Sequence, residues 1–430
     1  MNMDRQTCLN TLRDSITFQM SLGSKELFHT NFLQWLSIVD WDRFLNLLHF
    51  LTGEKEFWWE NIVFYVEASH NKGQEKIHPN NGNIEVRREH NNYDLSIYIL
   101  VGYSKPRNEG EARKKWRPVF ILENKVKSMP YQEQLNGYAQ KAYDEWEGSH
   151  PKGQAKDWAT EGITFVLLSL FDEVLFNHSR IQTENNKNID IKWHLCNYHK
   201  LHEAISANFS NVPQSKAKAI IEDYCTFVEA LHNLSQTEDW KVDHGDKYYE
   251  KIIKPAQEEV QLRISDIREK IHHERMLHIL IKKLQTSTIL KGRCEHWNKE
   301  KEFKDPKGKK HYNTGIVFYE TAFSRGSGAT QVFIIINDVY RLMIQLQGNQ
   351  YRRCVILHPI KKNKGKKMER ICDGISKIIW NGFKPSCQYG DLFKYDYELI
   401  PNWTIEDVLN KLVGDIEKII DNLDVLKNLK

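Results

Sequence analysis

The amino-acid sequence lacks the features that mark membrane-spanning and fibrous proteins. No apolar run approaches the roughly 18 residues that a membrane-spanning helix needs. The longest runs, such as Val332–Ile336, have the length of a strand. The chain has only 22 glycines and 11 prolines in 430 residues, which excludes a collagen-like or linker-dominated protein. We therefore expect a globular chain with a sizeable core and no membrane partner.

Cysteine usage and the first residues of the chain point to a reducing compartment. The seven cysteines are odd in number and include no C-x-x-C pair, which argues against a disulfide framework and a zinc ribbon. The segment Met1–Cys8 contains charged residues and no apolar stretch of the kind found in a secretory signal. We expect a cytoplasmic protein. The sequence also lacks a G-x-x-x-x-G-K-[ST] loop, which argues against a built-in nucleotide motor.

Positive charge is concentrated in one part of the chain. The formal net charge is only +4, but residues 291–370 contain 18 Lys or Arg against 7 Asp or Glu. Such a block is typical of a surface that contacts a polyanion, although a solvated charged face explains it nearly as well. Within it, we expect a hairpin-like loop to contact phosphate groups through Lys361, Lys362, Lys364, Lys366 and Lys367.

The order of predicted elements indicates a mixed α/β core followed by a second domain. Helical patterns open the chain, strand patterns follow from Asn83 onward, and a long amphipathic pattern covers Ser215–Leu234. The charged stretch Ser104–Arg117 is expected to be a loop. The polar segment Ser235–Asp246 has no periodicity and is the predicted boundary. We therefore predict a first domain over residues 1–238 and a basic α+β domain over 248–430.

Three charged residues at the ends of two predicted strands form the most informative pattern. Asp94 begins one strand, and Glu123 and Lys125 end another, directly after four apolar residues. Side chains at i and i+2 of a strand share a face, so Glu123 and Lys125 project together. A carboxylate on a buried strand is costly without a partner. Two such acids suit Mg²⁺ or Mn²⁺, and a lysine beside them can hold the attacking water.

Asp94 followed by Glu123-Asn124-Lys125 resembles the PD-(D/E)XK nuclease superfamily. The surroundings resemble a bacterial branch of that superfamily over roughly residues 20–235. The supporting segments are Glu26–Leu36 in the first helix, Arg87-Arg88-Glu89 before Tyr93–Ile97, and Gln132–Tyr138 after the lysine. One departure is that no proline precedes Asp94.

The resemblance implies a restriction-endonuclease-like fold, in which a mixed central sheet is flanked by helices, and a nuclease activity expected on DNA. It implies Asp94 and Glu123 as ligands of Mg²⁺ or Mn²⁺, with the Asn124 backbone carbonyl as a third ligand and Lys125 activating the water. Catalytic roles are also implied for Glu26, Gln134 and Tyr138. The partner would be nucleic acid, and we allow for a homodimer.

Simpler explanations exist for each of these residues. Glu123 and Lys125 could be an exposed pair at a strand end, and Glu26 could stabilise the start of its helix. Gln134 and Tyr138 could be surface and packing residues. The principal alternative function is a catalytically silent module that binds nucleic acid or a protein partner on the same fold.

Overall fold

The protein divides into two compact units, Met1–Gln236 and Thr237–Lys430. The segment predicted as the boundary, Ser235–Asp246, is mostly part of the second unit. There Trp240 is fully buried and its Nε1 donates a hydrogen bond to Glu259 Oε1 at 2.9 Å. The structure, a computed structural model, describes residues 3–23, 25–60, 62, 64–68, 71–75, 78–104, 113–126, 132–150, 158–172, 178–183, 188–213, 215–296, 302–304, 310–312, 314–324, 327–358 and 364–429.

The first unit is a mixed α/β structure. Its helices are α1 (Arg5–Asp14), α2 (Ile16–Ser21), α3 (Lys25–Val39), α4 (Trp41–Thr52), α5 (Gln132–Gly148), α6 (Trp158–Glu161), α7 (Tyr198–Phe209) and α8 (Ser215–Gln236). Its strands are β1 (Phe64–Ala68), β2 (Asn71–Glu75), β3 (Ile84–His90), β4 (Tyr93–Ser104), β5 (Arg113–Lys125), β6 (Thr164–Ser169), β7 (His178–Gln182), β8 (Asn188–Lys192) and β9 (His194–Asn197).

Five of these strands form the central sheet of the first unit, in the order β3-β4-β5-β6-β9. Strands β3, β4 and β5 are antiparallel, whereas β5, β6 and β9 are parallel. The β3–β4 turn contains Asn91 and Asn92 at φ values of 58° and 70°. Asparagine tolerates this left-handed conformation, which two-residue hairpin turns require.

Strand β5 is central because its sequence is built for burial on both faces. Val119, Phe120, Ile121 and Leu122 are all fully buried between β4 and β6. On one face, Ile121 packs in a core cluster with residues of α5, including Leu135 and Ala139. Continuous apolar runs are typical of strands covered on both sides. The run therefore holds the polar end of β5 at a fixed place.

The expected loop at Ser104–Arg117 is partly wrong. Residues 113–117 belong to β5 and pair with the end of β4, from Ile99 opposite Arg117 to Ser104 opposite Arg113. Backbone pairing needs no apolar side chains, so a charged stretch can extend a hairpin. Residues 105–112 lie outside the described part of the chain.

The second unit is also a mixed α/β structure. The helices of this unit are α9 (Gln257–Gln261), α10 (Ser265–Thr286), α11 (Lys364–Ile378), α12 (Ile405–Asp421) and α13 (Leu423–Lys427). Its strands are β10 (Cys294–His296), β11 (Glu302–Lys304), β12 (Lys310–Tyr312), β13 (Val317–Ser324), β14 (Ser327–Ile335), β15 (Tyr340–Gln347), β16 (Gln350–Leu357), β17 (Cys387–Tyr389) and β18 (Phe393–Leu399). Seven of these strands form one sheet, in the order β10-β13-β14-β15-β16-β18-β17.

The lysine-rich segment of this unit differs from the expected loop. Lys364, Lys366 and Lys367 lie in the first turn of α11, while Lys361 and Lys362 lie outside the described residues. The helix forms because its other face buries Met368 and Ile371, and such an apolar face outweighs the polar character of the first turn. Over the described ranges, no helix has the length and apolar character needed to cross a membrane.

Candidate active site

The structure brings Asp94 next to the polar end of β5. Leu95 pairs with Leu122 across the antiparallel strands β4 and β5, so the residues that follow Leu122 lie beside Asp94. The backbone N–H of Asn124 donates a hydrogen bond of 2.6 Å to Asp94 Oδ2. The N–H and C=O of one strand residue point to the same side, so the Asn124 carbonyl lies on the same edge of β5 as its N–H. The strand register therefore brings the Asp94 carboxylate to this edge.

Glu123 and Lys125 form a buried ion pair on one face of β5. Lys125 Nζ lies 2.6 Å from Glu123 Oε1, and Glu123 is only 1% exposed. Among the described residues, Glu123 Oε2 has no hydrogen-bond partner although it is buried. An unsatisfied buried carboxylate oxygen is costly. This oxygen is thus available to a ligand.

The two buried carboxyls of the site are costly to ionise. Burial, opposed by Lys125 and reinforced by Asp94, raises the pKa of Glu123 to about 8. Burial likewise raises the pKa of Asp94 to about 6, against the stabilising Asn124 N–H. Glu123 raises the pKa of Lys125, despite its burial. The lysine keeps its proton, and the site as a whole favours an additional proton or cation.

Glu26, in the first turn of α3, is a third acid near the site. Its carboxylate lies close enough to raise the pKa values of both Asp94 and Glu123. Helix α3 is fixed against β3 by Gln34, whose Nε2 donates to the Val86 carbonyl at 2.9 Å. The structure therefore places Glu26 near Asp94 and Glu123.

Helix α5 contributes two further predicted residues. Gln134 Nε2 donates a hydrogen bond of 2.8 Å to the Tyr138 hydroxyl, and lies 3.5 Å from Glu123 Oε1. The separation of four residues places both side chains on one face of α5. Burial raises the pKa of Tyr138, and Glu123 reinforces the rise. Both side chains can thus orient a group held by Glu123.

The donor set fits a hard divalent cation. Asp94, Glu123 and the Asn124 carbonyl offer oxygen only, which is the preference of Mg²⁺ and Mn²⁺. Within the described ranges, no group of three or more His, Cys, Asp or Glu side chains is arranged to hold a metal ion. Mg²⁺ commonly binds through one or two carboxylates plus substrate phosphates, and Asp94 and Glu123 supply that number of carboxylates.

Tyr198 is a site residue that the sequence analysis missed. Its hydroxyl donates a hydrogen bond of 2.7 Å to Asn124 Oδ1. Asn124 Nδ2 in turn donates to the main-chain oxygen of Glu26 at 3.2 Å. A buried asparagine in an apolar strand signals that partners must exist, but only the tertiary structure identifies them.

Comparison of the chain with protein-family models, with curated proteins and with solved structures finds no match in any of the three. The inference about function therefore rests on the geometry of the site. Two carboxylates, a lysine and a buried asparagine lie where the start of β4 meets the end of β5.

Proposed function

We propose that the first unit is a metal-dependent nuclease of the PD-(D/E)XK type with a restriction-endonuclease-like fold. One observation carries this proposal. Asp94 and the Glu123–Lys125 pair lie together at the end of adjacent strands of a mixed sheet, with one Glu123 oxygen unpartnered among the described residues. Buried carboxyls with raised pKa values are typical of functional sites rather than of surface ion pairs. The fit to a simple exposed pair is poor because Glu123 is 1% exposed.

The reaction we propose is hydrolysis of a phosphodiester. The oxygen of one water adds to phosphorus and one P–O ester bond breaks, while the protons of the water end on the leaving oxygen and in solvent. Asp94, Glu123 and the Asn124 carbonyl would hold Mg²⁺ or Mn²⁺. That ion would supply Lewis-acid stabilisation of charge on the phosphate.

Lys125 has the central role among the side chains in this proposal. Its ammonium group has three N–H donors, and Glu123 Oε1 uses one of them. The other two can orient the attacking water and donate to the phosphate oxygens as negative charge develops. Gln134, which is hydrogen-bonded to Tyr138, also contacts Glu123 and would limit its motion from the α5 side.

DNA is the substrate class that we propose, and the cytoplasm is the proposed compartment. The basic second unit supports a polyanion partner, because residues 291–370 carry a large excess of Lys and Arg. A homodimer is compatible with this proposal but is not required by it.

A catalytically silent binding module is the second candidate. The observation that favours it is the 2.6 Å contact between Lys125 Nζ and Glu123 Oε1. Through this contact the lysine partly balances the charge of the acid without a metal ion. Calorimetric titration with Mn²⁺ separates the two functions. The nuclease requires binding that is lost in Asp94→Ala, whereas a silent module binds no Mn²⁺ at this site.

A nuclease assay tests the proposal directly. Supercoiled plasmid, linear duplex and single-stranded DNA would be incubated with the full chain and Mg²⁺, with EDTA as the matched control. Magnesium-dependent cleavage of at least one substrate is expected. Absence of cleavage on all three, with Mn²⁺ as well as Mg²⁺, would refute a deoxyribonuclease.

A further inference from the structure

We propose that Tyr198 and Asn124 form a positioning pair that sets the location of Asp94, a proposed metal ligand, and of the first turn of α3, which carries Glu26. This inference rests on the nuclease function proposed above. It concerns two residues whose side chains touch neither phosphate nor water in the mechanism, and it assigns them a task in that mechanism.

Asn124 is the point where β4, α3 and β5 of the first unit meet. Its backbone N–H holds Asp94 Oδ2 at 2.6 Å, so it fixes the acid on β4. Its side-chain Nδ2 donates to the main-chain oxygen of Glu26 at 3.2 Å, so it also fixes the first turn of α3. The residue itself belongs to β5 and is fully buried. A displacement of the end of β5 at Asn124 would therefore move Asp94 and the first turn of α3.

The Tyr198 hydroxyl and the Glu26 carbonyl together hold the Asn124 amide in one orientation. The hydroxyl lies 2.7 Å from Asn124 Oδ1 and belongs to the first residue of α7. An amide has two ends of similar shape, and only hydrogen bonding distinguishes them. The Glu26 carbonyl can only accept, so the NH₂ group must face α3 and Oδ1 must face the Tyr198 hydroxyl. The hydroxyl donates to Oδ1 and so holds the amide in this orientation.

Packing leaves this arrangement little freedom. Tyr198 is fully buried, and its ring lies edge-on to His29 of α3 with 5.0 Å between ring centroids. Groups with this degree of burial cannot exchange a lost hydrogen bond for one to bulk water. Residues that orient metal ligands from outside typically change metal affinity or activity by about 10–100-fold when mutated.

Tyr198→Phe is the informative variant, and Tyr224→Phe is its matched control. Each removes one hydroxyl from a fully buried tyrosine, and each breaks one side-chain hydrogen bond of 2.7 Å. The Tyr224 hydroxyl bonds to His29 Nδ1 rather than to Asn124. A general loss of stability would affect both variants alike. A positioning role predicts an effect of Tyr198→Phe alone.

The first measurement needs no metal. Hydrogen exchange of residues 120–126 would be compared in the two variants and in wild type. We expect amide exchange at Asn124 to become about tenfold faster in Tyr198→Phe, because loss of the side-chain hydrogen bond would loosen the end of β5 whose N–H is held by Asp94. Equal exchange in the two variants would overturn the inference, whatever the activity of the protein.

The second measurement uses Mn²⁺ alone and then the reaction. We expect Tyr198→Phe to weaken Mn²⁺ binding about 10–100-fold and to lower kcat with KM nearly unchanged, while Tyr224→Phe changes neither. In an Asn124→Ala background, removal of the Tyr198 hydroxyl should have no further effect on Mn²⁺ affinity. If Asn124→Ala does not fold, the comparison of Tyr198→Phe with Tyr224→Phe is sufficient to test the inference.

The two proposals fail in different ways. A wild type that neither binds Mn²⁺ nor cleaves DNA refutes the nuclease, and with it the catalytic task assigned to the pair. A wild type that does both, with Tyr198→Phe indistinguishable from Tyr224→Phe, refutes only the positioning pair.

Discussion

Replacement of Glu123 by glutamine should stabilise the folded protein at neutral and alkaline pH while it removes the proposed activity. The carboxyl is 1% exposed, and burial raises its pKa from 4.5 to about 8 in the folded protein. The folded state therefore binds this proton more tightly than the unfolded chain does. Stability from the neutral carboxyl is fully present below pH 4.5 and is lost as the pH rises toward 8. Glutamine keeps the shape of the side chain and has no proton to lose.

The size of the effect follows from the same pKa difference. At about 1.4 kcal/mol for each pKa unit, the full loss for the wild type is about 5 kcal/mol above pH 8 and about 3 kcal/mol at pH 7. The stability advantage of Glu123→Gln should thus grow between pH 5 and pH 8. The introduced amide still offers an oxygen to Lys125, so the lysine keeps a partner.

Pulse proteolysis in urea, read on fragments of the first unit, would measure this difference at several pH values. The matched control is Glu222→Gln, which makes the same substitution at a side chain that is 63% exposed and so removes no buried carboxyl. An advantage of Glu123→Gln that is no larger at pH 8 than at pH 5 would refute the reasoning. A loss of stability at pH 8 would show that the ion pair with Lys125 outweighs burial.

Three further outcomes are expected. Lys125→Ala should leave Mn²⁺ affinity within about tenfold of wild type but lower kcat by about 10²–10³-fold, since its donors act on the reacting groups; equal losses of affinity and rate would contradict this. Because Asp94 and the neighbouring glutamate have pKa values raised to about 6 and about 8, Mn²⁺ affinity should increase with pH from 5 to 8, and calorimetry in two buffers should detect released protons. If α11 contacts phosphates, Lys366→Ala with Lys367→Ala should reduce the log–log salt dependence of DNA binding by about 0.9 per contact, whereas Lys218→Ala on the first unit should leave it unchanged.

The charged residues of the site could be located from the sequence because strand patterns are local. The apolar run before Glu123 identifies a buried strand, and the alternation after Asp94 identifies its neighbour. Antiparallel pairing of the two then brings the start of one beside the end of the other, as the pairing of Leu95 with Leu122 shows.

The contacts that complete the site depend on tertiary structure and could not be predicted. Tyr198 is 74 positions from Asn124 in the chain, and no periodicity links the two. The β7–β8 hairpin was also not predicted, since its strands are five residues each and largely polar. The sequence does not predict the start of α11, because its first turn is rich in lysine and the apolar periodicity of the helix begins only after it.

Cleavage of DNA by wild type, Asp94→Asn and Asp190→Asn tests the central claim most directly. Asp190 is the matched control because it lies on the same unit with its side chain 70% exposed. Purified in parallel, the three proteins would be compared for magnesium-dependent cleavage of the same plasmid. The nuclease site predicts that wild type and Asp190→Asn cut at equal rates and that Asp94→Asn does not cut. Equal cleavage by all three proteins would contradict it, because the activity would then not depend on Asp94.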